Sequence, residues 1–445
     1  DPEPVARAAA TLRGSPLPEK LAAECLPTAD AIHWLERNAA RVLAPVRHGA
    51  GGRPVWLAGA VAETRREPLG VILIIAPSNY PFMLAGVQAA QALAAGNAVI
   101  WKPGLGGLPS ARAFAELAER AGLPAGLLTV TGESADEAVA AIEAGVDKVV
   151  LTGSARAGVA VQRRLADRLV PAVMELSGCD PVFVLPGADL DLVAKAVKVG
   201  LRFNGSETCI APRRIIAPRS LAGDIESRLN ATLSPLPARP VGSAAVDLAE
   251  ELIAEAVAAG ARRLTGKREG PELMTPTALA DVRPGMRIAS ADLFAPVTSV
   301  IAVDAEGDAF AEAALRAAEP CPYALGASIF GPERAARELA GRVNAGSVCV
   351  NDMVAPTADP RIPFGGRGRS GFGTTRGPEG LLEMTALKTV SVRSAGFHQH
   401  LADPADDDAE FFRTYLRAAH SGSLLTRWGA WLRLLPMLIR RAWRG

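Results

Sequence analysis

Between Val71 and Gly153 the chain switches regularly between short unbroken apolar runs and longer alanine-rich stretches. "GVILIIAP", "NAVIWKP", "LLTVTG" and "KVVLTG" have the pattern of short strands buried on both faces. The stretches between them, "MLAGVQAAQALAAG", Ser110–Gly122 and Ala135–Gly145, repeat apolar residues at helical spacing. Strand and helix taken in turn predict a doubly wound α/β sheet, the usual platform for a nucleotide. A second α/β region begins near Cys179. It alternates through "PVFVLPG", a helix over Asp189–Val199, a helix over Asp247–Ala259, "SVIAVD" and "GSVCVND". Residues 1 to about 53 read as mostly helical, and no internal repeat is present.

Composition narrows the function. At 445 residues the chain is long enough for two or three sub-domains with cores of their own. Its 48 basic and 47 acidic residues nearly cancel, which argues against nucleic acid as a partner. No apolar stretch reaches the ~18 residues of a membrane span. The first residues show no charged-then-apolar leader, and the odd number of cysteines, five, leads to the expectation of a reduced, cytoplasmic protein. The five cysteines are widely spaced, with no C-x-x-C and no nearby histidine pair, so neither a metal site nor a disulfide framework is expected.

Several short motifs carry chemistry, each with a bland alternative. "GSARAG", Gly153 to Gly158, joins a strand to a helix, where backbone N–H groups can hold a pyrophosphate; it also suits a tight turn. Glu175 ends an apolar run in "PAVMELSGCDP" and is either a general base with its pKa raised by burial or a salt-bridged strand end. Asn79, between the prolines of "APSNYPF", is either an amide donor to a developing oxyanion or an Asx-turn. Lys102 in "IWKPG" either meets a phosphate or ribose or is solvated. Cys209 in "FNGSETCIAPRR" is either a nucleophile or one more buried cysteine.

In the order in which they occur, these stretches resemble the aldehyde dehydrogenase superfamily. "EPLGVILIIAPSNYPF", "AAGNAVIWKP", "LTGSARAG", "VMELSGCDP", "NGSETCIAPRR", "DLFAPV" and "IPFGGRGRSGFG" carry the resemblance over about residues 65 to 393. "EPLG…NYPF", "TCIAP" and "VNDMV" ahead of "IPFGG" are most similar to the compact branch that includes the fatty aldehyde dehydrogenases. The resemblance implies that the Cys209 thiolate attacks the aldehyde carbon, while the Asn79 amide and the Cys209 N–H hold the oxyanion. Hydride then passes to the nicotinamide of NAD or NADP, and Glu175 activates the water that hydrolyses the thioester. Lys102, Gly153, Ser154, Gly158, Asp292 and Phe294 fall on cofactor-contacting positions. Placement of Cys209 near a helix start is expected to lower its pKa.

The departures from the family pattern bear on activity. Leu105 stands where a ribose-clasping glutamate is common, which opens the site to NADP. Asp292 replaces a glutamate and is one methylene shorter. Ser78 stands in place of a common tryptophan. Ser177 replaces a glycine and is expected to crowd Glu175 or the nicotinamide. Glu207 replaces a glutamine and, if ionised, would raise the Cys209 pKa.

After Val392 the pattern changes. "DPADDDAE" reads as an acidic linker, and Phe411 to Gly445 contains no acid but seven arginines and three of the six tryptophans. On a helix turning ~100° per residue, Arg433, Arg440, Arg441 and Arg444 share one arc, with Arg427 at its border. Leu424, Leu425, Trp428, Trp431, Leu432, Leu435, Leu438, Ile439 and Trp443 lie opposite; Met437 is out of place among the arginines and Pro436 is expected to kink the helix. This is the composition of a helix lying in a membrane interface, or of one docked on protein.

The expected architecture is two doubly wound α/β domains. A cofactor domain spans residues 1–177, with part of a bridging arm near 54–67, and a catalytic domain spans 178–368. Residues 369–395 form a return segment and oligomerisation arm, and 396–445 a linker and amphipathic tail. The resemblance implies a homodimer, with an arm around Leu387–Val392 extending a neighbour's sheet. The expected function is NAD(P)-dependent oxidation of an apolar, fatty or isoprenoid-like aldehyde by a protein peripheral on the inner face of a membrane. Formation of an acyl-CoA fits less well, because that chemistry needs no water-activating glutamate. A catalytically silent scaffold at a membrane surface is the alternative.

Overall fold

The computed structural model describes residues 3–10, 16–393, 401 and 403–442. Two units separate, one of residues 1–44 and 66–387, the other of 45–65 and 388–445.

The larger unit is built on two sheets. In the first, the strands run in the order Gly371–Phe372, Ala172–Glu175, Lys148–Thr152, Val71–Ile75, Ala98–Lys102 and Leu128–Val130. All pairings are parallel except that of Gly371–Phe372. Ile72, Ile74, Val99, Trp101, Val150 and Val173 are almost wholly buried, as a sheet covered on both faces requires. Helix Met83–Ala94 presents the small, fully buried Ala85, Ala89 and Ala92 to that core. Strand order reverses between Val71–Ile75 and Lys148–Thr152, so the loops after these two strands open a crevice where ligands of such sheets bind.

The second sheet runs Arg262–Thr265, Thr277–Ala280, Val297–Val303, Pro212–Pro218, Asp180–Val184, Gly326–Phe330 and Ser347–Val350, parallel except for the first strand. Helix ends differ from the sequence expectation by a few residues, for local reasons. The predicted helix from Ser110 starts at Leu108, because Pro109 is tolerated in a first turn. The helix expected from Asp189 begins at Leu190, with the Asp189 carboxylate accepting from the N–H groups of Asp191 and Leu192 at 3.0 Å as its cap. The N-terminal helical region ends at Val42 rather than near residue 53, and Val46–His48 is a short strand.

The smaller unit holds most of a three-stranded sheet, Val46–His48, Ala60–Pro68 and Thr385–Arg393, with the last at an edge. It also contains two packed helices, Asp408–His420 and Leu424–Ala442. Their contact corrects the arcs read from the sequence. Ala430, Leu434, Met437 and Arg441 share the face turned to the first helix, which accounts for the misplaced Met437. Arg441 lies over the Phe411 ring at 4.1 Å and pairs with Asp407 at 3.1 Å and with Asp408, so it is not part of an exposed basic arc. Trp431 and Leu438 are half-buried with this cluster. Leu424, Leu425, Trp428, Leu432, Leu435 and Ile439 remain exposed. At ~100° per residue they fill one arc of about 100°. Phe412 and Leu416 of the first helix are also exposed. The helix continues through Pro436. Trp443 and Arg444 lie outside the described residues. No helix among the described residues is long and apolar enough to cross a membrane.

Candidate active site

Cys209, Glu175 and an apolar wall meet in one cavity of 510 Å³ in the larger unit, within the size range of small-molecule sites. Leu26, Met83, Leu84, Phe203, Val354 and Phe364 supply much of the wall. Leu26 comes from the N-terminal helical segment, a contribution that no local motif announces.

Cys209 lies in the loop between the turn Phe203–Ser206 and the strand Pro212–Pro218, not at a helix start. That loop is held by groups that replace ordinary backbone pairing. Asn204 and Ser206 adopt left-handed φ values of 51° and 64°. Buried Arg213 donates to the Ser206 Oγ at 3.0 Å and the Ser206 carbonyl at 2.7 Å. The Asn79 amide donates to the Glu207 carbonyl at 2.6 Å, the Asn204 amide donates to the Asn79 carbonyl at 2.8 Å, and Tyr80 and Thr208 share a hydroxyl bond of 2.7 Å. Lys20 reaches in from the N-terminal segment, donating to Asn204 Oδ1 at 3.0 Å and to Glu24 at 2.9 Å. Asn79 is therefore bound to the cysteine loop and is no isolated Asx-turn. Gly178 is required beneath it, since a Cβ there would sit 2.4 Å from the Cys209 carbonyl oxygen.

Burial pushes the Cys209 thiol up, with further upward pressure from Glu175 and Asp180 and relief from Arg376. The expected lowering by a helix start is thus overturned: desolvation dominates. The expectation for Glu207 shifts as well, because Glu175 and Asp180 are the foremost carboxylates acting on the thiol. Cys321 is held below the usual thiol range, mainly through a hydrogen bond with Cys179, but it does not line the cavity. Reactivity by pKa and access to the cavity point to different cysteines. Only Cys209 has the access.

Glu175 ends its strand fully buried, and no salt bridge to it occurs among the described residues. Thr375 donates to its Oε2 at 2.9 Å, while Oε1 is buried without a protein partner. Burial raises its pKa, opposed by Arg376 and by the Thr375 bond. One oxygen is oriented and the other is open to a proton.

Of the proposed cofactor positions, Lys102 ends a strand of the first sheet and Gly153 follows another. Gly153 and Ser154 precede helix Ala155–Ala166, and the Ser154 hydroxyl accepts from Ala157 N–H at 3.2 Å. A Cβ at Gly158 would meet Leu176 at 2.8 Å, so glycine lets this helix pack close to the sheet. Lys102 is buried at a strand end, and burial lowers its pKa. Phe294 is half-buried, and Leu105 is exposed. Ser177 does not point at Glu175: its hydroxyl bonds Asp292 Oδ2, and its carbonyl accepts from Ser370 at 2.6 Å. Asp292 Oδ1 stays buried without a protein partner. An orphaned carboxylate oxygen of this kind fits a ribose hydroxyl donor. No cluster of His, Cys, Asp or Glu suited to a metal ion occurs among the described residues.

Sequence reasoning missed Arg376, Thr375, Asn204 and Lys20. The first two lie in the return segment after "IPFGG", where glycines draw attention away from them; Lys20 has no motif at all.

Comparison with known proteins follows the same lines. The family model described as "Aldehyde dehydrogenase family" matches residues 2–390. A 4,4'-diapolycopene aldehyde oxidase from Methylomonas sp is 30% identical over 377 residues, covering 82% of this chain and 70% of that protein. Succinate-semialdehyde dehydrogenase [NADP(+)] 1 from Mycobacterium ulcerans is 32% identical, covering 83% of this chain and 82% of its own. Among solved structures, NADP-dependent glyceraldehyde-3-phosphate dehydrogenase from Bacillus halodurans, complexed with NADP, superposes with a TM-score of 0.80 at 29% identity, covering 88% and 83% of the two chains.

Proposed function

We propose an apolar aldehyde as the substrate of this chain, which belongs to the aldehyde dehydrogenase family and is an NAD(P)-dependent aldehyde oxidoreductase. The observation behind the substrate class is the cavity itself: side chains such as Leu26, Met83, Leu84 and Phe203 surround the approach to Cys209. An aldehyde with a long hydrocarbon or polyene chain buries its length there, at ~25 cal/mol per Å² of apolar area removed from water. Of the relatives above, one is named for 4,4'-diapolycopene aldehyde and another for succinate semialdehyde. A chain-length series with NAD or NADP separates the two. kcat/KM should climb with aldehyde length, and a preference for succinate semialdehyde would overturn the reading.

In the proposed reaction Glu175 takes the proton of the Cys209 thiol, which desolvation in the cavity keeps protonated at neutral pH. The thiolate adds to the carbonyl, and the Asn79 amide and Cys209 N–H hold the oxyanion. Bound NAD(P) supplies the hydride acceptor by which the thiohemiacetal becomes a thioester. Glu175 releases the proton it took from Cys209 to solvent, and its carboxylate then takes a proton from the attacking water as that water's oxygen adds to the thioester and the Cys209 sulfur leaves. Gly153, Ser154, Gly158, Lys102, Asp292 and Phe294 would hold the cofactor. Ser177, tied to Asp292, leaves Glu175 clear, which supports an active enzyme over a silent scaffold.

Exposed Leu105 supplies no carboxylate to repel a 2′-phosphate, so NADP is accepted. Leu105→Glu is expected to lower kcat/KM for NADP about tenfold relative to NAD, a ~1.4 kcal/mol like-charge effect; an unchanged ratio would remove Leu105 from the site.

Two further parts of the reading concern assembly. The edge strand Thr385–Arg393 exposes Leu387 and Val392, which suits pairing with a second copy as a homodimer. The exposed arc of Leu424, Leu425, Trp428, Leu432, Leu435 and Ile439, with the exposed Arg427, Arg433 and Arg440, suits a peripheral site on an anionic membrane surface. Removal of residues 396–445 should abolish co-sedimentation with vesicles containing phosphatidylserine. The Trp428→Glu, Leu432→Glu double variant should do nearly the same, while wild-type pelleting of both would show the arc has another use.

A further inference from the structure

The inference rests on the assignment of Cys209 and Glu175 to one reaction centre. Both carry negative charge during the reaction, in a cavity that excludes water, and something must offset it. The wall offers two cations: Lys195, which is exposed, and Arg376, which is buried.

Three independent observations single out Arg376. Its backbone has φ 61° and ψ 171°, a region that non-glycine residues rarely occupy and that persists where the surroundings enforce it. The guanidinium is locked from two sides, with Cζ 4.3 Å above the Phe364 ring and Nη1 donating to the Thr357 carbonyl. Its Nε–H is buried without a partner, as is Glu175 Oε1 in the same site. A strained, buried, incompletely paired cation is costly to fold and informative for that reason.

We propose that Arg376 is a positioning residue for the reaction, the shared counter-ion that holds Glu175 ionised and admits the Cys209 thiolate beside it. Without it, proton transfer from Cys209 would place negative charge beside other carboxylates in a desolvated cavity. The groups facing Cys209 are Glu175, Asp180 and Tyr80 as acids and Arg376 and Arg213 as cations. Those facing Glu175 are Arg376 and the Thr375 hydroxyl. Asp30, Lys195 and Asp352 complete the ionisable groups of the cavity wall. Arg376 opposes the upward shift of both Cys209 and Glu175.

The test follows alkylation of Cys209 by iodoacetamide across pH, resolved by peptide mass spectrometry in the full chain. Neither aldehyde nor cofactor is needed, so the result stands apart from whether the chain turns over an apolar substrate. Arg376→Gln should slow labelling of Cys209 at pH 8 about tenfold, since one unit of thiol pKa is tenfold in thiolate. It should move the acid limb of kcat/KM to higher pH, while Arg376→Lys keeps most of the wild-type profile. A folded R376Q protein with an unmoved labelling profile overturns the proposal. So does a raised KM confined to carboxylate-bearing aldehydes with no change in profile, which would make Arg376 a substrate anchor. If R376Q does not fold, R376K decides: a near-wild-type profile supports the counter-ion role and a displaced one refutes it. Loss of the fold in both makes the residue structural.

Discussion

Cys209→Ala abolishes NAD(P) reduction by aldehyde while leaving cofactor binding and the fold intact. The expected loss in kcat is on the order of 10⁴-fold or more, the scale on which removal of a nucleophile acts. The cost to structure is small because Cys209 is only half-buried and its loop is held by neighbours: Asn79 on Glu207, Tyr80 on Thr208, and Arg213 on Ser206. Following reduced nicotinamide by absorbance, with each aldehyde and each cofactor, measures the effect. Residual turnover near the wild-type rate would transfer the chemistry to another thiol. Cys321 is the one to examine then, since its hydrogen bond with Cys179 holds its thiol below the usual range.

Glu175→Gln has the second-largest effect and a distinctive form. If Glu175 serves the hydrolytic step, kcat falls by ~10²–10⁴-fold, the range for a lost general base. A first-turnover burst would persist if another group can accept the thiol proton; its loss would show that Glu175 also acts before the thioester forms. The pH dependence follows from the raised pKa. Below it Glu175 carries a proton and cannot take another, so wild-type kcat should decline as pH falls through a value above the usual carboxylate range. The variant should lack that limb. Stability should change in the opposite direction. A carboxyl whose folded pKa is raised binds its proton more tightly in the folded state, so its stabilising contribution is present at low pH and lost as pH rises through that value. Glu175→Gln should therefore raise the melting temperature at pH 8 and leave it nearly unchanged at pH 4. A lower melting temperature at pH 8 would mean that ionised Glu175 is held by more than Thr375.

Much of the fold was legible because its signal is local. "VILII" and "AVIWK" are short apolar runs between turn formers, and most of their side chains are buried, as in a strand covered on both faces. Boundaries moved where a cap or a first-turn proline decided them, as at Asp189 and Pro109. The tail shows the limit of a helical wheel. Arg441 and Met437 could be placed on an arc, but only a second helix against that arc determined that Arg441 faces inward to Asp407 and Asp408. The same holds for Ser177. Its residue type suggested crowding, whereas its rotamer takes the hydroxyl to Asp292.

By itself the sequence determined the alternation of strand and helix, the motifs along it, and the cysteine and glutamate on which a reaction could be built. These depend on residue type and spacing over a few positions. Tertiary structure decided the electrostatics: a thiol pushed up rather than down, a glutamate with one free oxygen, and a buried arginine beside both. Cys209, Glu175 and Arg376 are far apart in the chain, and each owes its charge state to desolvation and to the other two. Both effects exist only after the chain has closed around them.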